Sequence, residues 1–475
     1  MRTNLAVKTE PIFTHGGGRA THVATHVDGF SILKRSVLAC LLWEDSFYEK
    51  GSDTANRIAS LVPLVKPEQT AILACEARDR MNLRHVPLFL VSELSKIKGT
   101  GPLVENTLAH VIQRADELAE FVSIYWKSDR IGKPGKHPLS AGVKRGLARA
   151  FGKFSGYSLA KYNRDAAIKL RDVLFLCHAK PKDEEQAALW RSLVDGTLPA
   201  PDTWEVELSA GKDKRETFER LMREKKLGGL ALLRNLRGMI EAHVDETLIR
   251  ESLTDGVKRA FPYRFIAAAK AAPRLEDAIE QAMFRSIAEA PKLKGKTVLV
   301  IDVSGSMYHG SLSAKSDMNR SDAAAALAIL VREVCEQPVL YATAGNDGAR
   351  RHQTEIVPNR RGFGLSELIT NNGKLCRSLG GGGIFLTQVM DFIASPEQSQ
   401  AERIIVITDE QDCETDSAKC ASKAKAFGRF NYIINVGAYK NGIGAAGKWE
   451  KIDGWSEAVI DYIREVELLE TGQPQ

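Results

Sequence analysis

The stretch Thr297-Val298-Leu299-Val300-Ile301-Asp302-Val303-Ser304-Gly305-Ser306-Met307 carries an apolar strand directly into Asp-x-Ser-x-Ser. A short unbroken apolar run bounded by a turn signal reads as a β-strand. A strand that ends in a sharp turn can aim one carboxylate and two hydroxyls at a single point. Hard divalent cations prefer such oxygen ligands, with room left for waters and an outside carboxylate or phosphate. Asp302, Ser304 and Ser306 are therefore candidate metal ligands.

Two later segments extend this pattern. Arg403-Ile404-Ile405-Val406-Ile407-Thr408-Asp409-Glu410 is a second apolar strand that ends in a carboxylate, and Gly380-Gly381-Gly382-Gly383-Ile384-Phe385-Leu386-Thr387 is a glycine-rich loop between the two. Together the three segments resemble the metal-ion-dependent adhesion site (MIDAS) of von Willebrand factor A domains. The resemblance implies a Mg²⁺ or Mn²⁺ ion held by Asp302, Ser304, Ser306, a loop threonine and Asp409. Aligned on the glycines, the threonine position holds Gly383 or Ile384, so the nearest hydroxyl, Thr387, is the remaining candidate. An A domain that holds no metal is the alternative.

The rest of residues 293–475 suits such a domain. Short apolar strands at 297–303, 339–343, 403–408 and 432–436 alternate with helical stretches at 321–336, 417–427 and 456–470. Parallel strands with helical crossovers predict a doubly wound α/β sheet, with a ligand crevice beyond the strands' carboxyl ends, where Asp302 and Asp409 fall.

Residues 1–292 read differently. Amphipathic segments around 37–42, 70–78, 86–91, 107–123, 166–177, 226–240 and 275–290 follow one another with short polar breaks and no β-rich alternation, which predicts an α-helical array. No clean sequence repeat accompanies it.

The chain of 475 residues is 44% hydrophobic and 27% charged, as in ordinary multidomain globular proteins. No run approaches the ~18 apolar residues of a membrane span, and the sequence Met1-Arg2-Thr3-Asn4-Leu5-Ala6 has no signal-peptide core. A cytoplasmic protein with no membrane partner is expected. Seven cysteines without a Cys-x-x-Cys imply neither a disulfide framework nor a zinc knuckle. The net charge of +6 is unevenly spread: residues 1–292 carry 46 Lys and Arg against 37 Asp and Glu, and residues 293–475 carry 20 against 23. Within residues 127–182, fourteen basic side chains face only Asp129, Asp165 and Asp172. Solvated helix faces normally mix signs, so this excess points to a polyanionic partner. Lys133, Lys136, Lys144, Arg145, Arg149, Lys161, Arg164, Arg171, His178 and Lys180 are the candidate contacts.

Several local segments resemble one family. Gly16-Gly17-Gly18-Arg19-Ala20 with Trp43-Glu44-Asp45-Ser46-Phe47-Tyr48 is similar to the entry of its bacterial members. Leu159-Ala160-Lys161-Tyr162-Asn163-Arg164, Lys169-Leu170-Arg171-Asp172-Val173-Leu174 and His178-Ala179-Lys180-Pro181-Lys182 resemble its Lys-Tyr, Asp-Leu-Leu and His-x-Lys-Pro helices. Leu232-Leu233-Arg234-Asn235-Leu236 and Phe261-Pro262-Tyr263-Arg264-Phe265 fit later helices. On these segments the chain is identified as a member of the TROVE-domain Ro autoantigen family, of the bacterial Ro-like (Rsr-type) kind. The resemblance implies a HEAT-like helical-repeat ring, the TROVE domain, over 1–292 and an A domain over 293–475. It further implies a noncatalytic monomer that binds Y-type small noncoding RNA on its outer surface and admits single-stranded ends of misfolded RNA to a basic hole. An exoribonuclease is an implied partner in RNA quality control or processing. Lys161, Arg164 and His178 match motif positions that contribute to Y RNA binding in that family, Arg164 with a one-residue offset.

Other readings stand beside these. His178 at a helix end could cap or pack, and Lys161 could be merely solvated. Tyr157 and Tyr162 are either stacking platforms or core. A different class of protein, a metal-dependent adhesion adaptor or chaperone-like scaffold, would need the A-domain site but no basic stretch. Gly442-Ile443-Gly444-Ala445-Ala446-Gly447-Lys448-Trp449 fails as a phosphate loop, since Trp449 stands where Mg²⁺ needs Ser or Thr. His22 and His26 lack the Glu and third ligand of a zinc site, and Ser304 and Ser306 lack a nucleophile-elbow context.

Overall fold

The computed structural model describes residues 29–39, 51–127, 138–257, 260–309, 318–370, 373–395, 400–409, 426–436, 449–453 and 459–471. Lys133, Lys136, His22, His26, the segments 16–20 and 43–48, and most of the 417–427 helix and of the 442–449 loop lie outside them. Two compact units divide the chain, one of residues 27–41 and 50–210 and one with 211–475 as its body.

The first unit is helical throughout its described residues. Its helices are α1 (Gly29–Ala39), α2 (Gly51–Leu61), α3 (Pro67–Asp79), α4 (His85–Leu94), α5 (Gly101–Val111), α6 (Asp116–Lys127), α7 (Ala141–Phe151), α8 (Gly156–Tyr162), α9 (Leu170–Cys177), α10 (Glu184–Asp195) and α11 (Trp204–Ser209). Successive or alternate helices pack, α3 on α4 and α5, α4 on α6, α5 on α7, and α7 on α9. The segment 107–123, read above as one helix, is two. Glu117 is fully buried and its carboxylate accepts the Gln113 and Arg114 amides at 2.8 and 3.0 Å. The carboxylate thus caps a new helix start and breaks the first helix before it. Arg78 clamps the same carboxylate at 2.7 Å. Where α7 crosses α5, a Cβ on Gly142 would lie 2.5 Å from the Gly101 carbonyl oxygen, so the helices meet backbone to backbone.

Helix gives way to strand at Leu293, but the compact units divide earlier. Helices α12 (Lys214–Arg223), α13 (Gly229–Glu241), α14 (Glu246–Gly256), α15 (Pro262–Ala271) and α16 (Glu276–Ile287) belong with the sheet in the second unit. The chain continues through β1 (Leu293–Asp302), α17 (Gly305–His309), α18 (Arg320–Val334), β2 (Cys335–Asn346), β3 (Arg351–Ile356), α19 (Gly362–Thr370), α20 (Lys374–Ser378), α21 (Leu386–Ile393), β4 (Arg403–Thr408), β5 (Phe430–Asn435), β6 (Glu450–Asp453) and α22 (Val459–Thr471).

The six strands lie in the order β3-β2-β1-β4-β5-β6. Neighbours are parallel except β3, which runs antiparallel to β2 at the edge, with Tyr341 opposite Ile356 and Asn346 opposite Arg351. The sequence reading missed β3 because Arg351-His352-Gln353-Thr354-Glu355-Ile356 is mostly polar and exposed, as an edge strand can be. β4 and β5 are buried along their whole length and β1 from Thr297 onward, which explains the apolar runs 298–301 and 404–407 of the two central strands. α18 is buried on nearly all sides, against β1 and β2 on one hand and α15 and α19 on the other; Ala323-Ala324-Ala325-Ala326 permits the close approach. From β1 the chain goes to β2 on one side and later to β4 on the other. The carboxyl ends of β1 and β4 therefore flank the topological switch point, the usual crevice of an open α/β sheet.

Candidate nucleic-acid interface and carboxylate site

In the first unit the described part of the basic stretch falls at the end of α6, in α7, α8 and α9 and in the turns that follow α7, α8 and α9. Helix α9 shows why its face is available. Leu170, Val173, Leu174 and Cys177 are buried, and this i, i+3, i+4, i+7 set points Arg171, Phe175 and His178 the other way. Arg171 and His178 are exposed, and Phe175 keeps 61% of its surface in water. His178 closes the helix in the left-handed conformation (φ 53°), its amide donating to the Phe175 carbonyl, so its backbone caps while its ring stays exposed. The capping reading of His178 therefore holds for its backbone. Cys177 beneath is inert, since burial pushes its thiol up to about 11.

Lys161, Arg164 and Lys180 are also exposed, and among the described residues none of them, nor His178, meets a carboxylate. Lys161 sits 5.7 Å from the Tyr157 ring centre and 5.8 Å from that of Tyr162. Tyr162 is half-buried and covered by the Arg114 guanidinium at 4.7 Å, while Tyr157 is 44% exposed. Arg145 and Arg149 are less available. Arg145 donates to Glu105 at 2.5 Å and Arg149 to Asn106 at 2.6 Å, which ties α7 to α5. The hydrogen bond from Arg145 is the main cause that holds the Glu105 carboxyl below its ordinary range. Lys144 is half-buried on α7, and Arg171 lies 3.9 Å from Asp172. Phe175 was not among the sequence candidates. Its signal was present: the buried spacing of α9 leaves position 175 on the polar side.

In the second unit the turn after β1 and the end of β4 meet as the sequence predicts. Asp302, Ser304 and Asp409 are buried, and the Ser304 and Ser306 hydroxyls lie 3.1 Å apart. One Asp302 oxygen accepts the Ser304 amide at 2.9 Å and the other the Thr408 hydroxyl at 2.7 Å. Burial, and then the nearby Asp409 charge, push the Asp302 carboxyl up to about 7. The glycine loop reaches the turn through its backbone: the Gly305 amide donates to the Gly382 carbonyl at 3.4 Å. Gly380 (φ +94°) allows this, since a Cβ there would stand 2.6 Å from the Gly345 carbonyl oxygen. Thr387 lies beyond the loop, in the first turn of α21.

Two residues that the motif did not indicate complete the site. Thr408 holds Asp302, and Arg320 holds Asp409, Nη1 to Oδ2 at 2.7 Å. Among the described residues no group of three or more His, Cys, Asp and Glu is placed to bind a metal. As it stands, the donor set does not fit a hexacoordinate divalent ion. One of the two carboxylates is engaged by a guanidinium, and the loop brings backbone instead of a hydroxyl.

Comparison with known proteins bears on both units. The family model for the TROVE domain matches residues 189–355, from α10 into β3. The crystal structure of the Ro (RSR) protein of Deinococcus radiodurans has the same fold, with a TM-score of 0.63 and 18% sequence identity over 93% of this chain and 100% of that one. No curated protein matches the sequence. No helix among the described residues is long and apolar enough to cross a membrane.

Proposed function

On a chain that carries a TROVE domain and has the fold of a Ro protein, we propose that the exposed face of α8 and α9 binds Y-type small noncoding RNA. The observation that carries this reading is the company kept by Lys161, Arg164, Arg171, His178 and Lys180. They are solvent-exposed cations or potential cations, four of them with no carboxylate among their described neighbours; Lys161 lies beside the exposed Tyr157 ring, and Arg171 and His178 stand one turn either side of the exposed Phe175 on α9. Phosphates dominate the affinity of protein for nucleic acid, and unneutralised Lys and Arg supply the countercharge. Structured RNA is read by shape and by its unpaired bases, which stack on aromatic side chains. Phe175 offers such a platform between Arg171, one turn before it, and His178, one turn after. In this reading the protein is a noncatalytic scaffold in RNA quality control or processing. It also accepts single-stranded ends of misfolded RNA and presents bound RNA to an exoribonuclease.

Ultraviolet cross-linking of the full chain to the RNA that co-purifies with it tests the assignment. The expected cross-linked peptides fall within residues 156–182, with Phe175 and Tyr157 as the reactive rings, and the recovered RNA contains a stem with unpaired nucleotides. Cross-links confined to residues outside 127–182 would reject this face as the site.

A further inference from the structure

The loops after β1 and β4 are laid out as a cation site, yet a cation of the chain's own already lies there. Arg320 is the first residue of α18, and its position is fixed by a reciprocal cap. The Asn319 side chain accepts the Asp322 amide at 2.9 Å, and the Asp322 carboxylate accepts the Asn319 amide at 3.0 Å. From there the guanidinium reaches Asp409 at 2.7 Å and the Ser306 carbonyl at 3.4 Å, with only 11% of the arginine side chain and none of Asp409 exposed. The other groups are bonded within the site as well: Asp302 by the Thr408 hydroxyl and the Ser304 amide, Ser304 and Ser306 by each other.

We propose that Arg320 takes the place of the divalent cation, so that the α/β domain keeps its MIDAS-like turn closed without Mg²⁺ or Mn²⁺. A guanidinium is always charged and neutralises Asp409 permanently, whereas a bound ion comes and goes. A dication seated between Ser304, Ser306 and Asp409 would share Asp409 with a fixed positive charge, in a site where burial leaves their repulsion little screened. Release of Arg320 would in turn strip the buried Asp409 of its guanidinium partner and disturb the first turn of α18. That turn has a second tie, since Asp322, fully buried, is gripped by Lys270 of α15 at 2.6 Å through both oxygens. One helical turn therefore fastens the site under the sheet on one side and the preceding helices on the other. The arrangement is a fixed clasp, and capture of an outside carboxylate through a metal, as an adhesion adaptor requires, is excluded by it.

The test is Mn²⁺ titration of the full chain, with free Mn²⁺ read from its paramagnetic resonance signal. Wild type is expected to leave Mn²⁺ free to millimolar concentration and to melt at the same temperature in Mn²⁺ and in chelator. Arg320→Gln, with its circular dichroism unchanged, is expected to take up one Mn²⁺ at least tenfold more tightly than wild type, and Asp409→Asn in that background to abolish the uptake. Wild-type binding that disappears in Asp302→Asn would overturn the proposal, as would a folded Arg320→Gln that binds no Mn²⁺. Should Arg320→Gln fail to fold, the wild-type arm decides alone: uptake lost in Asp302→Asn refutes it, and absence of uptake with an unshifted melting temperature upholds it.

Discussion

Replacing Phe175 by alanine separates a stacking contact from an electrostatic one. The ring leaves 61% of its surface in water, whereas Leu170, Val173, Leu174 and Cys177 bury the opposite side of α9. The loss of a mostly exposed ring should change folding stability by less than about 1 kcal/mol, against the 3–5 kcal/mol typical of a core phenylalanine. A base stacked on that ring is worth about 1–3 kcal/mol by alanine substitution. Phe175→Ala should therefore weaken binding of a Y-like RNA by roughly 5- to 150-fold while its thermal midpoint stays within about 3 °C of wild type. Because no charge is removed, the slope of log affinity against log salt should not change. Lys161→Ala, by contrast, should flatten that slope by about 1. Fluorescence anisotropy with a labelled RNA at four or five salt concentrations measures both quantities in one experiment. Equal affinities for Phe175→Ala and wild type would refute the stacking argument, and a flattened slope in Phe175→Ala would refute the division of roles.

Further expectations concern both units. Lys161→Ala and His178→Ala should each weaken RNA binding by about 1 kcal/mol or more with helical content unchanged in circular dichroism; loss of fold in either variant would make that residue a packing residue. Arg403 is 2% exposed, bonds both oxygens of Glu467 at 2.7–2.8 Å and also reaches Thr297, so Arg403→Ala should lower stability by about 3–5 kcal/mol in denaturant titration. Gly142→Ala places a methyl 2.5 Å from the Gly101 carbonyl oxygen and should cost about 1–3 kcal/mol as α5 and α7 are forced apart, visible as a lower melting temperature.

The α/β domain was legible in the sequence wherever burial is two-sided. The runs 297–301 and 403–408 are apolar because β1 and β4 lie in the middle of the sheet, and the same rule hides β3, whose exposed faces and free edge place little demand on composition. Asp302, Ser304, Ser306 and Asp409 come together because they end or follow the carboxyl ends of β1 and β4 beside the switch point. Arg320 could not be read from that motif, since the bond that matters joins positions 89 residues apart and depends on how α18 enters the core. The helical array was legible as helices but less so as boundaries. The break before α6 is set by one buried carboxylate, Glu117, which has no periodic signature. Among the basic residues, composition marked the stretch without sorting it: Arg145 and Arg149 are taken up in bonds to α5, whereas Lys161 and Lys180 are not. Phe175 escaped notice because an aromatic in an amphipathic helix is usually core, and only the phase of α9 shows otherwise.

The most direct test of RNA binding by the α8 and α9 face is the salt dependence of affinity for a structured small RNA, measured for wild type and for a Lys161, Arg171, Lys180 triple alanine variant. With about four phosphate contacts, the wild-type slope of log affinity against log salt should be near −3, a loss of roughly 60-fold between 50 and 200 mM salt. The triple variant should bind much more weakly, with a slope near −1. A wild-type affinity that does not change with salt, or a triple variant with the wild-type slope, would contradict the account.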